Sequence, residues 1–393
     1  MLNLLLFLAG LAALIGGAEL LVRGASRLAL SFGISPLVVG LTIVAFGTSA
    51  PEMAISAGAV LGGQTGLAVG NVVGSNIFNV LFVLGISALI APLVVHRQII
   101  RQEVPILIGA SLLLVVLSLD GRLTLFEGAL LLALVFAYTV FLVVQSRRET
   151  SAAADGAPAE GSEDDVPTAS GWMARLPVQL ALIVVGLGLL VVGSNWLVTA
   201  AVAFAEALGV SDVIIGLTIV AAGTSMPEVA TSIAAAIKGE RDIAVGNVIG
   251  SSTFNIFGCL GLSGVLAGSA GLVVPGPVLA FDLWVMLAVA LACLPIFLTG
   301  REIARWEGAV FLAYYVAYVA YLILAAQSHD ALPAFSGVMM SFVLPLTVIT
   351  LVVVLIRRPA GTPARWCGRP VAWASRSACS SCRSCSWVWP SGK

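Results

Sequence analysis

The chain repeats itself. The segment Gly40–Glu52, GLTIVAFGTSAPE, returns at Gly216–Glu228 as GLTIVAAGTSMPE, with 11 of 13 positions identical at a constant offset of 176. A second pair keeps that offset: AVGNVVGSNIFN over Ala68–Asn79 against AVGNVIGSSTFN over Ala244–Asn255, identical at 9 of 12 positions. Two copies sharing one offset confine the fold to a duplicated architecture in which each half carries the same local geometry. Each copy also sets one carboxylate, Glu52 or Glu228, inside an apolar run.

What surrounds the repeats fixes the solvent. Residues are 60% hydrophobic and 10% charged, against roughly 25% charged in a soluble domain. Apolar runs of about 20 residues are long enough to cross a bilayer as helices, and the short alternating segments of a barrel are missing. The pattern predicts an all-α polytopic membrane protein with spans near 2–22, 37–61, 68–91, 104–119, 124–144, 176–200, 213–237, 243–268, 279–299 and 306–326, plus an eleventh run at about 335–356. The first span has no basic n-region. Its GAELLV over Gly17–Val22 aligns with GSNWLV over Gly193–Val198, so it belongs to the repeat and is not read as a signal peptide.

Five spans precede a polar Ala/Gly/Ser/Pro and acid-rich linker at 146–175, and five follow it. An odd number per half makes corresponding helices cross in opposite directions, so the repeat is inverted. The predicted organisation is a first five-helix repeat over 1–145, the linker over 146–175, a second repeat over 176–326, an extra transmembrane helix over 327–357 and a disordered Cys/Arg/Ser-rich tail over 358–393. Weaker echoes extend the duplication, Glu103 with Asp282 and Glu127 with Glu307, at offsets of 179 and 180. With the N-terminus outside, inner loops hold Arg23, Arg27, Arg97, Arg101, Arg147, Arg148, Arg175, Lys238, Arg241, Arg301 and Arg305, while outer loops hold only Arg122. Cytoplasmic loops carry the basic excess, which predicts a multi-pass protein of the cell (inner) membrane with its N-terminus outside.

Inverted repeats place a site near the bilayer midplane, where the halves meet. Pro51 lacks an N–H and clashes with the carbonyl of Gly47, and Pro227 does the same to Gly223, so a helix is predicted to open at each. The freed carbonyls around Gly47 to Ser49 need partners, and a bound cation would supply one. A buried membrane acid costs about 2.5–3.5 kcal/mol on insertion scales, and two of them demand compensation. A hard divalent ion such as calcium takes 6 to 8 oxygens. The carboxylates of Glu52 and Glu228, the carbonyls of Thr48 and Thr224, the hydroxyls of Ser49 and Ser225 and the amides of Asn79 and Asn255 make such a set.

Bland readings compete with this one. A proline kink with a hydrogen-bonded glutamate would explain one copy but is a poor account of two. Gly70 with Gly74, and Gly246 with Gly250, have the small-xxx-small spacing of close helix packing. Asn71, Ser75, Asn79 and their partners Asn247, Ser251, Asn255 keep one helical face, which serves either interhelical hydrogen bonding or ion ligation. Glu19 is read as an interfacial partner of Arg23, and Glu127 and Glu307 as span starts reached by solvent or headgroups. Cys259 and Cys293 read as small hydrophobes. Cys367, Cys379, Cys382 and Cys385 read as an extension of foreign composition rather than a zinc module.

At these duplicated segments the chain resembles the cation/calcium exchanger (CaCA) superfamily, specifically its prokaryotic sodium/calcium exchangers, over about residues 1–326. The resemblance implies ten core helices in two inverted repeats and ions bound among the second, third, seventh and eighth. It assigns calcium to Glu52 and Glu228 with the backbone oxygens of Thr48 and Thr224. It assigns sodium to the same glutamates, the carbonyls of Ala45 and Ala221, the hydroxyls of Ser49, Ser225, Ser75 and Ser251, and the side chains of Asn79 and Asn255. Some relatives, the potassium-dependent ones among them, carry Asp at the position of Asn255. Asn here implies a site resting on two carboxylates, with potassium cotransport disfavoured.

The expected function is antiport of calcium against sodium by alternating access, with proton-coupled calcium antiport as the alternative and a cation channel as the more distant one. No nucleophile–base pair or histidine cluster accompanies the glutamates, which argues against an enzyme. The expected partners are calcium and sodium ions and the lipid bilayer. No cofactor and no nucleic acid is implied.

Overall fold

The computed structural model describes residues 2–32, 34–155, 176–207 and 221–356. The first half comprises α1 (Leu2–Phe32), α2 (Pro36–Thr48), α3 (Ala50–Leu61), α4 (Thr65–Ile90), α5 (Ile99–Leu117) and α6 (Leu125–Asp155), with α2 and α3 forming one span bent by 41°. The second half comprises α7 (Leu176–Ala207), a single turn at Ala221–Gly223, α8 (Met226–Ile237), α9 (Arg241–Ala270), α10 (Val278–Leu298) and α11 (Arg305–Ala326). The predicted eleventh run forms α12 (Leu332–Val353). The start of the seventh predicted span, most of the linker and the Cys-rich tail lie outside the described residues.

Local chemistry sets the helix starts. The Ser35 hydroxyl accepts the Val38 N–H at 3.3 Å, with Pro36 in the first turn of α2 where its missing N–H costs nothing. Glu127 accepts the Thr124 N–H at 2.7 Å, and Glu307 accepts the Ala304 N–H at 2.8 Å. Both acids are thus helix caps at equivalent points of the two halves. Glu307 is also buried, so the sequence reading that water or headgroups reach it is corrected: its carboxylate turns back onto its own helix start.

The inversion is visible in two strand pairs. β1 (Leu93–Val94) pairs antiparallel with β4 (Glu302–Ile303), and β2 (Arg122–Leu123) with β3 (Leu272–Val273). Under the repeat β1 corresponds to β3 and β2 to β4, so each pair is the copy of the other. Each joins one loop from each half.

Helix α1 runs antiparallel to α7 at backbone contact. A Cβ on Gly10 would come 2.8 Å from the Gly193 carbonyl oxygen, and one on Gly17 would come 2.8 Å from that of Gly186. Any side chain at these points would force the helices apart, which is why small residues recur every seven positions. Near the middle of α1, Glu19 bridges Arg23 and also Lys238, 2.6 Å away at the end of α8. The Arg23 pairing follows from i,i+4 spacing, whereas Lys238 comes from the other half of the chain.

Helices α4 and α9 form the interior. The apolar stretch of α9 is wholly buried and most of α4 is, whereas that of α12 is not buried at all. Helix α12 lies at the periphery, joined to α11 through a hydrogen bond between the Tyr314 and Thr347 hydroxyls. The structure is an all-α polytopic membrane fold.

Candidate functional site

Both helix openings sit where the prolines predict. Ser49 (φ −78°, ψ 0°) ends α2, and Ser225 (φ −90°, ψ 12°) precedes α8, each followed two residues later by Pro in the first helical turn. Glu52 and Glu228 occupy those first turns and are fully buried. A helix N-terminus favours a carboxylate through its unpaired N–H groups and dipole. Among the described residues no basic side chain is ion-paired with either of these carboxylates.

The freed carbonyls are less available than the sequence suggests. The Ser49 carbonyl accepts the Met53 N–H at 3.0 Å and the Ser225 carbonyl accepts the Val229 N–H at 3.2 Å, because the helix resumes at once beyond each proline. The Gly223 carbonyl, opposite Pro227, accepts the Ser194 hydroxyl of α7 at 2.5 Å. That partner is a protein group where the sequence suggested an ion. Ser194→Ala is therefore expected to lower stability by about 1–3 kcal/mol, the cost of an orphaned buried carbonyl, read as a drop in melting temperature of the detergent-solubilised protein. An unchanged melting point would show that another group serves Gly223. The Ala45 carbonyl likewise accepts the Ser49 N–H at 3.0 Å and the Ser251 hydroxyl at 3.4 Å.

The polar stripes divide into two roles. Asn71 donates to the Ser56 hydroxyl at 3.1 Å and the Glu52 carbonyl at 3.4 Å. Asn247 repeats this with the Ser232 hydroxyl at 2.9 Å and the Glu228 carbonyl at 3.5 Å. These asparagines clamp the helix that carries each glutamate. Ser75 and Asn79, or Ser251 and Asn255, follow at one and two turns on the same face. A π-helical turn begins at each terminal asparagine, Asn79–Leu84 and Asn255–Cys259. Such turns widen a helix locally and recur at functional sites.

Around the carboxylates the bonding is lopsided. The Ser225 hydroxyl donates to Glu52 Oε1 at 2.8 Å. Thr224 also faces Glu52, and Thr48 faces Glu228, so each threonine looks across to the other half's acid. Thr48 donates to Asn247 Oδ1 at 3.0 Å and meets the Ser251 hydroxyl at 3.2 Å. Glu52 Oε2, both oxygens of Glu228, the hydroxyls of Ser49 and Ser75 and both amide atoms of Asn79 are buried without any hydrogen-bond partner. Nearly all buried polar atoms in folded proteins are paired. Unpaired polar atoms thus gather at the two helix starts, on Ser49, Glu52 and Glu228, and on the α4 face that carries Ser75 and Asn79.

Asn255 differs from its counterpart. Its Nδ2 donates to Asn76 Oδ1 at 3.2 Å, and the Cys259 thiol donates to its Oδ1 at 3.5 Å. Cys259, read from sequence as a plain hydrophobe, borders the site. Gly246 and Gly250 pack against the Leu37–Ala45 stretch, where a Cβ on Gly250 would come 2.8 Å from the Leu41 carbonyl oxygen, as the packing reading expects. The symmetry partners of that stretch, 213–220, lie outside the described residues, so Gly70 and Gly74 are not placed in the same way. Ala221 opens the single turn before the second break.

Several partners were not singled out in the sequence. Ser56 and Ser232 carried a usable signal, since they are identical at the offset of 176. Ser194 and Asn76 carried none, because the repeat holds Ala18 and Ser252 at the matching positions.

Residues 2–144 and 178–324 match the family of sodium/calcium exchanger proteins. A putative antiporter, CaxA of Alkalimonas amylolytica, is 39% identical over 79% of this chain and 95% of its own length. The sodium/calcium exchanger MaX1 of Methanosarcina acetivorans is 35% identical over 81% of this chain and 98% of its own. Among solved structures, the sodium-calcium exchanger NCX_Mj superposes with a TM-score of 0.67 at 31% identity, covering 81% of this chain and 98% of that one. The chain belongs to the sodium/calcium exchanger protein family, whose members are membrane transporters.

Proposed function

We propose that the protein is a secondary antiporter exchanging calcium for sodium across the inner membrane by alternating access, with Glu52 and Glu228 as its central ligands. The observation that carries this reading is the group of buried, unpaired oxygens on Glu52, Glu228, Ser49, Ser75 and Asn79. Glu52 and Glu228 belong to equivalent elements of the two halves, as expected of a site built at an inverted-repeat interface, and Ser49, Ser75 and Asn79 add oxygens from the first half. All are hard oxygen donors, suited to calcium and sodium. Two glutamates neutralise one calcium ion, and the same oxygens serve sodium, so the two ions exclude each other. That exclusion is what turns a binding site into an exchanger.

The basic residues at the predicted cytoplasmic ends, among them Lys238 and Arg301, support an N-terminus outside. Calcium titrated into the purified protein is expected to bind more weakly as sodium is raised, while potassium at equal ionic strength has no such effect. Calcium affinity indifferent to sodium contradicts a shared site. Affinity that falls with acid instead transfers the coupling to protons.

A further inference from the structure

The two halves differ at one point beside the site, and the difference has a direction. Where the first half has Asn76 the second has Ser252. Asn76 is buried on α4, and its Nδ2 donates to the backbone carbonyl of Ser252 on α9 at 3.1 Å. A backbone carbonyl only accepts, so this bond fixes which end of the Asn76 amide is which. Its Oδ1 then points to Asn255, which answers with Nδ2 at 3.2 Å. The orientation of Asn255 is fixed in turn, leaving Oδ1 as the atom that accepts from the Cys259 thiol. Nothing comparable holds Asn79, whose two amide atoms are both unpaired. Ser252, at the position that matches Asn76, spends its hydroxyl on the Val248 carbonyl of its own helix at 2.9 Å.

We infer that Asn76 is a positioning residue that locks the Asn255 amide with its oxygen available to the transported cation, and thereby specifies an amide rather than a carboxylate at position 255. This rests on the reading of Asn255 as an ion ligand. A released amide samples both orientations and offers a cation its NH₂ end in one of them, which repels it. An aspartate at 255 would set a carboxylate oxygen against Asn76 Oδ1, acceptor against acceptor. Asn76 cannot turn to relieve this without abandoning the Ser252 carbonyl. The lock thus holds the site at two carboxylates, with one flexible amide in the first half and one oriented amide in the second.

The test is a double-mutant cycle on the full chain, with calcium binding read by titration and sodium-driven calcium uptake read in proteoliposomes. Asn76→Ala is expected to weaken calcium binding and raise the half-saturating calcium concentration about tenfold, the scale of one lost orienting hydrogen bond, with the maximal rate kept. In an Asn255→Ala background, where no amide remains to orient, it is expected to change neither. An effect of equal size in both backgrounds, or none in the wild-type background, would overturn the assignment. If Asn76→Ala does not fold, Asn76→Ser carries the same cycle, since the second half accommodates serine at that place. Wild-type protein that binds calcium but shows no sodium-driven uptake defeats the exchange reading and leaves the binding arm of the cycle intact.

Discussion

Glu228→Gln is expected to abolish sodium-driven calcium uptake while making the ion-free protein more resistant to heat. Neither oxygen of Glu228 has a hydrogen-bond partner, and its carboxylate is fully buried beside that of Glu52. In the absence of a cation the pair must either hold two desolvated like charges or take up a proton, and either way it carries a free-energy cost that removing one carboxylate relieves. With calcium bound the same charge is indispensable. Removing one partner from a buried charge pair costs roughly 3–5 kcal/mol, which at about 1.4 kcal/mol per tenfold weakens calcium binding by a hundredfold to a few thousandfold. Melting curves with and without calcium read both effects: the wild type is stabilised by calcium, and the variant starts higher and does not move. Glu52→Gln is expected to lose uptake in the same way, with a smaller gain in heat resistance, because Glu52 Oε1 already has the Ser225 hydroxyl. A Glu228→Gln protein that is less stable and still stabilised by calcium would mean that the carboxylate holds the fold together and does not hold the ion.

Gly17→Leu is expected to abolish folded protein altogether. A Cβ alone at Gly17 lies 2.8 Å from the Gly186 carbonyl oxygen and 2.9 Å from the Leu190 nitrogen, both backbone atoms that no rotamer change can move. Overpacking a tight contact costs typically about 1–3 kcal/mol and more where backbone must shift. Here the leucine separates α1 from α7 along their whole length. Gly109→Leu on α5 is the matched control, since a Cβ there meets nothing within 4 Å and the residue is exposed. Monodisperse yield after detergent extraction is expected to collapse for the first and to match the wild type for the second. Equal yields would show that the close approach of α1 and α7 is dispensable.

Much of this site was legible in the chain because the chain states it twice. The offset of 176 located both prolines, both glutamates and the stripe from Asn71 to Asn79. Hydropathy and the odd number of spans per half implied the inverted arrangement that the crossed pairs β1–β4 and β2–β3 display. What escaped was the bonding that breaks the symmetry. Ser194 takes the Gly223 carbonyl, Lys238 reaches Glu19, and Asn76 orients Asn255. Each joins residues far apart in sequence, and for each the other copy carries a residue unable to repeat it: Ala18, Gly62 and Ser252. Comparing repeats finds what the halves share and is silent on their differences. The roles of Asn71 and Asn247 were ambiguous for another reason, since a stripe on one face does not say which members turn to a helix backbone and which remain unpaired.

Calcium flux into proteoliposomes, with sodium, potassium and proton gradients imposed one at a time, tests the central claim most directly. An outward sodium gradient is expected to drive uptake of radioactive calcium that collapses when sodium is equalised, is indifferent to potassium and pH gradients, and disappears in Glu52→Gln and Glu228→Gln. Uptake that persists without a sodium gradient, or that survives in both glutamine variants, would contradict exchange through a two-carboxylate site.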